Sequence, residues 1–443
     1  MPSVIAPQDV YLSSFQALEK RLAGREPEWL QRLRQEAIHA FAELGFPTTH
    51  YEEWKYTSVT PIAQTPFQPA SEQKDFSWKP EAAALESWRS LSDICLVFIN
   101  GFYSEALSSL RGLPSGVKVG NLASLLEKSP DGLVEHLARY ADHRSHPFIA
   151  LNTALWQDGA YLWFPKGTVL AKPAHLLFVS TAKDAPLVSH PRSLILAERE
   201  TQVTIVESYL GVGDGVCFSN AVTEIVAGEN AVIDHYKLQL ENERSSHIAT
   251  LQVYQDRSAN FTDCSVSFGG DLVRSEVNVV LDAEGAECVL NGLYLAQGRQ
   301  HMDNRTSMDY AKPHCASRQL YNGILDGHAT GVFNGRIIVR PDAQKTDAIQ
   351  KNRNLLLSED AVVNTKPQLE IFANDVRCTH GATVGQIDPE ALFYLRSRGI
   401  AQQEARNLLI YAFAGDILDR IRPAEFRAWV ENALRARLAL GSS

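Results

Sequence analysis

Between residues 158 and 388 the chain runs for about 230 residues without a convincing amphipathic helix, and this limits the possible folds more than any other feature. Short runs of β-branched and aromatic residues stand there instead. Tyr161-Leu162-Trp163-Phe164, Val203-Thr204-Ile205-Val206, Val277-Asn278-Val279-Val280-Leu281 and Arg336-Ile337-Ile338-Val339 are examples, separated by turn residues. So much strand is long for one sandwich, and a faint repeat suggests another arrangement. An apolar strand end, a polar turn, a small residue and a new strand recur in LAERETQVTIV (196–206), IVAGENAVID (225–234), VYQDRSANFT (253–262), VLDAEGAECV (280–289), ILDGHATGVF (324–333) and LLSEDAVVNT (356–365). The small residues Thr201, Ala231, Ala259, Ala286, Ala329 and Ala361 are 30, 28, 27, 43 and 32 positions apart. A period near 30 with one insertion predicts a β-solenoid, each coil stacking its apolar face on the next and turning a tight corner at the small residue. On periodicity alone, an irregular β-sandwich with chance turn similarities is the alternative.

Helical patterns flank this stretch, giving three regions: 1–157, 158–387 and 388–443. In the first, Leu30, Leu33, Ala37, Phe41 and Leu44 recur at helical spacing, and Gly45 with Pro47 stops the helix. A loop is expected to about residue 80, a buried strand at ICLVFING (94–101), and a weak helix from Asp131 to Arg144. In the last region Asp388-Pro389 supplies an N-cap and a proline at the first helical position, and Gly399 ends that helix after Arg398. A second helix from Gln402 carries Leu408, Leu409, Ala412, Phe413, Ile417 and Ile421. A third opens at Pro423 and carries Phe426, Val430, Ala433, Leu434 and Leu438. Bare physics favours this tail as a cap over the solenoid's unpaired last strands; partner binding is the other reading.

With 443 residues the chain exceeds one compact core. A net charge of −10 argues against a nucleic-acid backbone as main partner. No apolar run is long enough to suggest a membrane span, and MPSVIAPQDV does not read as a secretory leader. A cytoplasmic protein with reduced thiols is therefore expected.

The strongest local chemistry is Arg377-Cys378-Thr379-His380-Gly381. On a strand, the period of two puts Cys378 and His380 on one face. A thiolate beside an imidazole suits iron or an iron–sulfur cluster, although two donors cannot fill a tetrahedral site. A buried cysteine beside a hydrogen-bonded histidine is the plainer alternative. His314 and Cys315 are adjacent and point to opposite faces of a strand. Cys264 and Cys288 lie about one coil apart; they read as small core thiols, with stacking on one another as the alternative. The acidic pairs Glu52-Glu53 and Glu359-Asp360 read as solvated. There is no P-loop, no G-x-S-x-G and no H-E-x-x-H, so neither ATP binding nor a complete catalytic constellation is expected.

The segment NGRIIVRPDAQKTDAIQKNRNLLLSEDAVVNTKPQLEIFANDVRCTHGATVGQIDPEALFYLRSRGI (334–400) closely resembles the SufB/SufD family of iron–sulfur assembly proteins. The likeness continues through QQEARNLLIYAFAGDIL and, more weakly, over the β region. Glu52 with Trp54 to Thr57 (E-x-W-K-Y-T), and the C-x-H-G order, look like the SufD branch. The resemblance implies a mainly β protein, a right-handed parallel β-helix flanked by N- and C-terminal α-helical domains. It implies a non-catalytic scaffold subunit that pairs with SufB through β-helix edges and with the ATPase SufC through its C-terminal helices. A homodimer is possible when the chain is alone. Cys378 and His380 match positions implicated in holding a nascent iron–sulfur cluster, transient and shared with the partner chain, with iron acquisition as this subunit's share. A purely architectural partner of SufB, and a carbohydrate-active β-helix enzyme, remain the alternatives.

Overall fold

The structure is a computed structural model and describes residues 7–70, 88, 91–127, 133–182 and 185–440. Successive strands alternate between two large sheets, so each strand pairs in parallel with the one two further along the chain. Sheet 1 stacks Ala160–Phe164, Arg192–Ala197, Cys217–Ala227, Ser246–Gln255, Leu272–Leu281, His301–Tyr310, Thr330–Val339 and Val362–Ile371. Sheet 2 stacks Ile94–Ile99, Ala174–Thr181, Gln202–Val212, Val232–Leu240, Asn260–Ser267, Glu287–Ala296, Ala316–Leu325, Asp347–Leu356 and Arg377–Gln386. The result is a parallel β-helix. Ile205, Ile233, Phe261 and Leu290 from sheet 2 meet Val277, Val279 and Ile337 from sheet 1 in the core between them. The expected buried strand at ICLVFING joins this stack, although it precedes the long β region. That early end is closed by antiparallel strands: Phe102–Tyr103 and Ser109–Leu110 pair with Ile94–Ile99, and Lys118–Asn121 with Ala160–Phe164.

The repeat is real, but its phase differs from the sequence reading. Thr201, Ala231, Ala259 and Ala286 each precede a strand of sheet 2, whereas Ala329 and Ala361 precede strands of sheet 1. The gap of 43 is therefore no insertion; it steps from one series to the other, about a coil and a half. The sheet 2 series continues through Cys315, Thr346 and Val376, at intervals of 29, 31 and 30. Cys315 and Thr346 are buried like the alanines, because each corner side chain points inward.

The helices lie against the outer faces. Glu28–Leu44 ends at Gly45, whose φ of 64° is the left-handed conformation glycine adopts without cost. Together with Pro7–Leu22 and Pro147–Leu155 it packs Tyr11, Phe15, Phe41 and Phe148 onto Phe218, Ile248 and Leu272 of sheet 1. Pro147–Leu155 has no amphipathic signature because every one of its residues is buried. Of the weak helix expected from Asp131 to Arg144, only Leu133–His136 is helical among the described residues. The loop expected to residue 80 is not all loop: Thr60–Gln64 is a short helix and Gln68–Pro69 pairs with Leu187–Ser189, while residues 71–80 lie outside the described residues.

At the other terminus Asp388 caps Pro389–Ser397 by accepting the Glu390 N–H at 2.9 Å, and Gly399 follows with a φ of 87°. Helices Gln402–Leu418 and Ala424–Leu440 follow as expected. They do not cap the solenoid. Ile410, Ile417, Phe426, Val430 and Leu434 bury the outward-facing Tyr236, Cys264, Val266, Leu293 and Ile324 along the side of sheet 2. That face is itself apolar, so covering it removes more apolar surface from water than covering a strand edge.

Candidate metal-ligand site

The last strand, Arg377–Gln386, is hydrogen-bonded on one side only, to Asp347–Leu356. Among the described residues no strand pairs with its other edge, nor with the outer edge of Val362–Ile371 in sheet 1. In the register Cys378 lies beside Ala348 and His380 beside Gln350. Ala348 is buried in the central core, and Cys378 packs against the same core, so this face of the strand points inward. The two-residue period turns His380 the same way. The sequence expectation of a shared face holds. The pair sits at the mouth of the solenoid, with Cys378 half-buried and His380 exposed.

Burial pushes the Cys378 thiol above its ordinary value; the Ala348 N–H opposes this, and nearby Asp347 adds to it. Asp347 is held in turn by Arg318 at 2.7 Å. The thiol is thus neutral near pH 7 and needs a metal, or a change of surroundings, to ionise.

In the last coil three apolar side chains are exposed: Phe372 (62%) just past strand Val362–Ile371, Val362 at its start, and Val384 (50%) on the ligand strand itself. On the helix that follows, Phe393 is 73% exposed and Tyr394 is open as well.

The other candidates are not brought to this place. Cys315 is a buried corner residue whose Sγ lies 3.3 Å from the Ala283 carbonyl, while His314 is exposed with a φ of 60°. Cys264 and Cys288 do not stack. Cys264 registers with Asn291 and faces the tail helices, whereas Cys288 registers with Phe261 and faces the core. Cys288 does share the inward column of Cys378, with Ser317 and Ala348 between them. Among the described residues no group of three or more His, Cys, Asp or Glu is arranged to hold a metal ion. Cys378 and His380 therefore offer two donors and no third.

Two constellations lay outside the sequence reading. The E-x-W-K-Y-T segment is a staple on the outer face of sheet 1. The Arg274 guanidinium lies 3.5 Å from the centre of the Trp54 ring and donates to the Glu53 carbonyl at 3.0 Å. Thr57 donates to Asp303 at 2.7 Å, and Glu52, exposed to solvent as expected, forms a surface ion pair with Lys366. The second lies in the lumen, where Glu207, His235, Lys237, Glu241, His247 and Asp263 are all buried. Its one sequence signal is charge at alternate positions of otherwise strand-like runs such as VIDHYKLQL (232–240).

Comparison with known proteins agrees over nearly the whole chain. The family model "SUF system FeS cluster assembly, SufBD core domain" matches residues 178–413, and "SufBD protein N-terminal region" matches residues 5–176. An iron-sulfur cluster assembly SufBD family protein of Synechocystis sp. is 35% identical over 434 residues, covering 95% of this chain and 94% of the relative. The iron-sulfur cluster assembly protein SufD of Escherichia coli is 32% identical over 425 residues, 94% of each chain. SufD of Bacillus subtilis is 27% identical over 93% of each.

Proposed function

This chain belongs to the SufBD family of SUF-system iron–sulfur cluster assembly proteins, and from that membership we propose that it is a non-catalytic, SufD-type scaffold subunit that holds iron or a nascent cluster through Cys378 and His380. The observation that carries the reading is the placement of this pair. A thiol and an imidazole lie on the inward side of the terminal strand, whose outer edge pairs with no strand among the described residues. The cluster is cargo, and the donor set fits it: thiolate and imidazole are both ligands of iron–sulfur centres. Two donors leave the remaining coordination to another chain, so the site is completed only in a complex and releases its load readily.

The partner at the open end is SufB. Its β-helix edge meets strands Val362–Ile371 and Arg377–Gln386, covering Phe372 and Val384. The ATPase SufC docks on the tail, where Phe393, Tyr394 and Leu408 are exposed. Helix Pro389–Ser397 follows the ligand strand after only Ile387 and Asp388, so a pull on the tail acts directly on the strand that carries Cys378. ATP-driven movement of SufC would open the interface, admit iron and favour the thiolate. The site of action is the cytoplasm. Without SufB, two copies of this chain can pair through the same edge.

Anaerobic reconstitution of the complex, with Cys378→Ser and His380→Ala made one at a time, tests this reading. Loss or spectral change of the assembled cluster in each variant is expected. Full assembly in both, with the complex intact, would leave an architectural partner of SufB without ligands of its own. Removing residues 400–443 is a poor probe of SufC docking, because it would bare the apolar face of sheet 2. Phe393→Glu, on an exposed side chain, should weaken SufC binding while the fold persists.

A further inference from the structure

We propose that Gln350 is a positioning residue for His380: its side-chain carbonyl takes the N–H of one imidazole nitrogen and leaves the other nitrogen free to ligate. The proposal rests on the reading of His380 as a ligand. Gln350 and His380 are register partners on adjacent strands, on the inward face, with backbones about 4.8 Å apart. Gln350 is 1% exposed. Its Nε2 donates to Gln319 Oε1 at 3.3 Å, and the same oxygen accepts from Thr306 Oγ1 at 2.8 Å. The Thr306 hydroxyl and the Gln350 amide thus converge on one acceptor. As placed, Gln319 Oε1 accepts both donors, while Gln319 Nε2 and Gln350 Oε1 are buried without partners.

With its nitrogen on Gln319, Gln350 keeps a buried Oε1 that has no partner, His380 included, so the proposed bond forms when the imidazole turns toward it. Gly335 gives this amide its place: a Cβ there would lie 2.2 Å from Gln350 Nε2 and 2.7 Å from its Oε1. Leu290, Gln319, Gln350 and His380 follow one another in the same inward column, so the next side chain toward the mouth is the imidazole. A neutral imidazole has one N–H and one lone pair. Donation to Gln350 selects the tautomer and the ring plane, and turns the lone pair toward incoming iron. Support of this kind typically changes metal affinity by roughly 10–100-fold.

The test begins with the full-length, metal-free chain labelled with ¹⁵N-histidine, read by long-range ¹H–¹⁵N spectra above the imidazole titration. The His380 signals are assigned by their loss in His380→Ala. A single neutral tautomer is expected in the wild type, a mixture of both in Gln350→Leu, and retention of the single form in Gln350→Glu, whose carboxylate still accepts. A mixture in the wild type, or an unchanged single tautomer in Gln350→Leu, would overturn the proposal. Thermal unfolding checks that both variants are folded, and the wild-type spectrum decides the matter even if Gln350→Leu is not. Ferrous iron titrated anaerobically into the complex with SufB supplies the second readout, with binding expected roughly 10–100-fold weaker in Gln350→Leu. Unchanged affinity there also counts against the positioning role. Unchanged affinity in His380→Ala would instead sink the underlying ligand reading and leave the tautomer result standing.

Discussion

Tyr321 lies where a side chain on Gly292 would begin: the two are register partners in sheet 2, and a Cβ at 292 would sit 2.1 Å from the ring. The neighbouring column reverses the order, with Tyr294 beside Gly323 and 2.3 Å between the would-be Cβ and the ring. Each glycine lends its space to an aromatic ring on the next coil. Gly292→Ala should therefore destabilise the chain by about 1–3 kcal/mol through overpacking. Urea unfolding measures it, and Tyr321→Leu in the same chain should recover part of the loss. Equal midpoints for wild type and Gly292→Ala would contradict this packing.

Glu224 joins the segment before helix Pro147–Leu155 to sheet 1. Its carboxylate accepts the N–H groups of Ala138, Tyr140 and Ala141, each at 2.9 Å, and the Arg192 guanidinium at 2.8 Å, with both side chains fully buried. Glu224→Gln leaves the arginine charge without a counter-ion, at an expected cost of about 3–5 kcal/mol. Calorimetry should show the lower transition, and hydrogen exchange at residues 138–141 should accelerate.

His235 stands 2.7 Å from Asp263 and 3.8 Å from Glu207. Burial alone would lower its pKa, but the two carboxylates outweigh burial and raise it to about 9. The folded value lies above the unfolded one, so the stabilisation is complete below about pH 6.5 and is lost as pH rises through about 9. Stability should fall by on the order of a few kcal/mol across that window. His235→Gln should flatten the slope between pH 6.5 and 9, and an unchanged slope would assign the pH dependence to other groups.

Five of the six cysteines are buried, and Cys378 alone is half open. Brief treatment of the native chain with iodoacetamide should modify Cys378 first. The reaction should be slower than that of a free thiol, because burial holds the thiol neutral. Peptide mass spectrometry reads the site, and on the proposed pairing SufB should protect it.

Much of this was written locally in the chain. Asp388-Pro389 and Gly399 mark a helix because capping chemistry is confined to a few residues, and Cys378 with His380 needs only the two-residue period. What depends on register was hidden. The corner series passes through the buried Cys315 and Thr346 and the partly buried Val376, which share a corner position but no residue type, so a search for small residues drifts onto the other sheet. Pro147–Leu155 is apolar on every side and shows no period. Gln350 is unremarked in its own strand, and gains a role only because the next coil sets His380 beside it.

The two ends of the stack are unlike. Antiparallel strands seal the early end, while the late end carries bare strands in both sheets. Fibre growth by parallel strands needs a donor end and an acceptor end on every molecule, and among the described residues the early end is bounded by antiparallel strands instead. Pairing of two late ends, as proposed above, would leave outward only early ends that short antiparallel strands bound among the described residues.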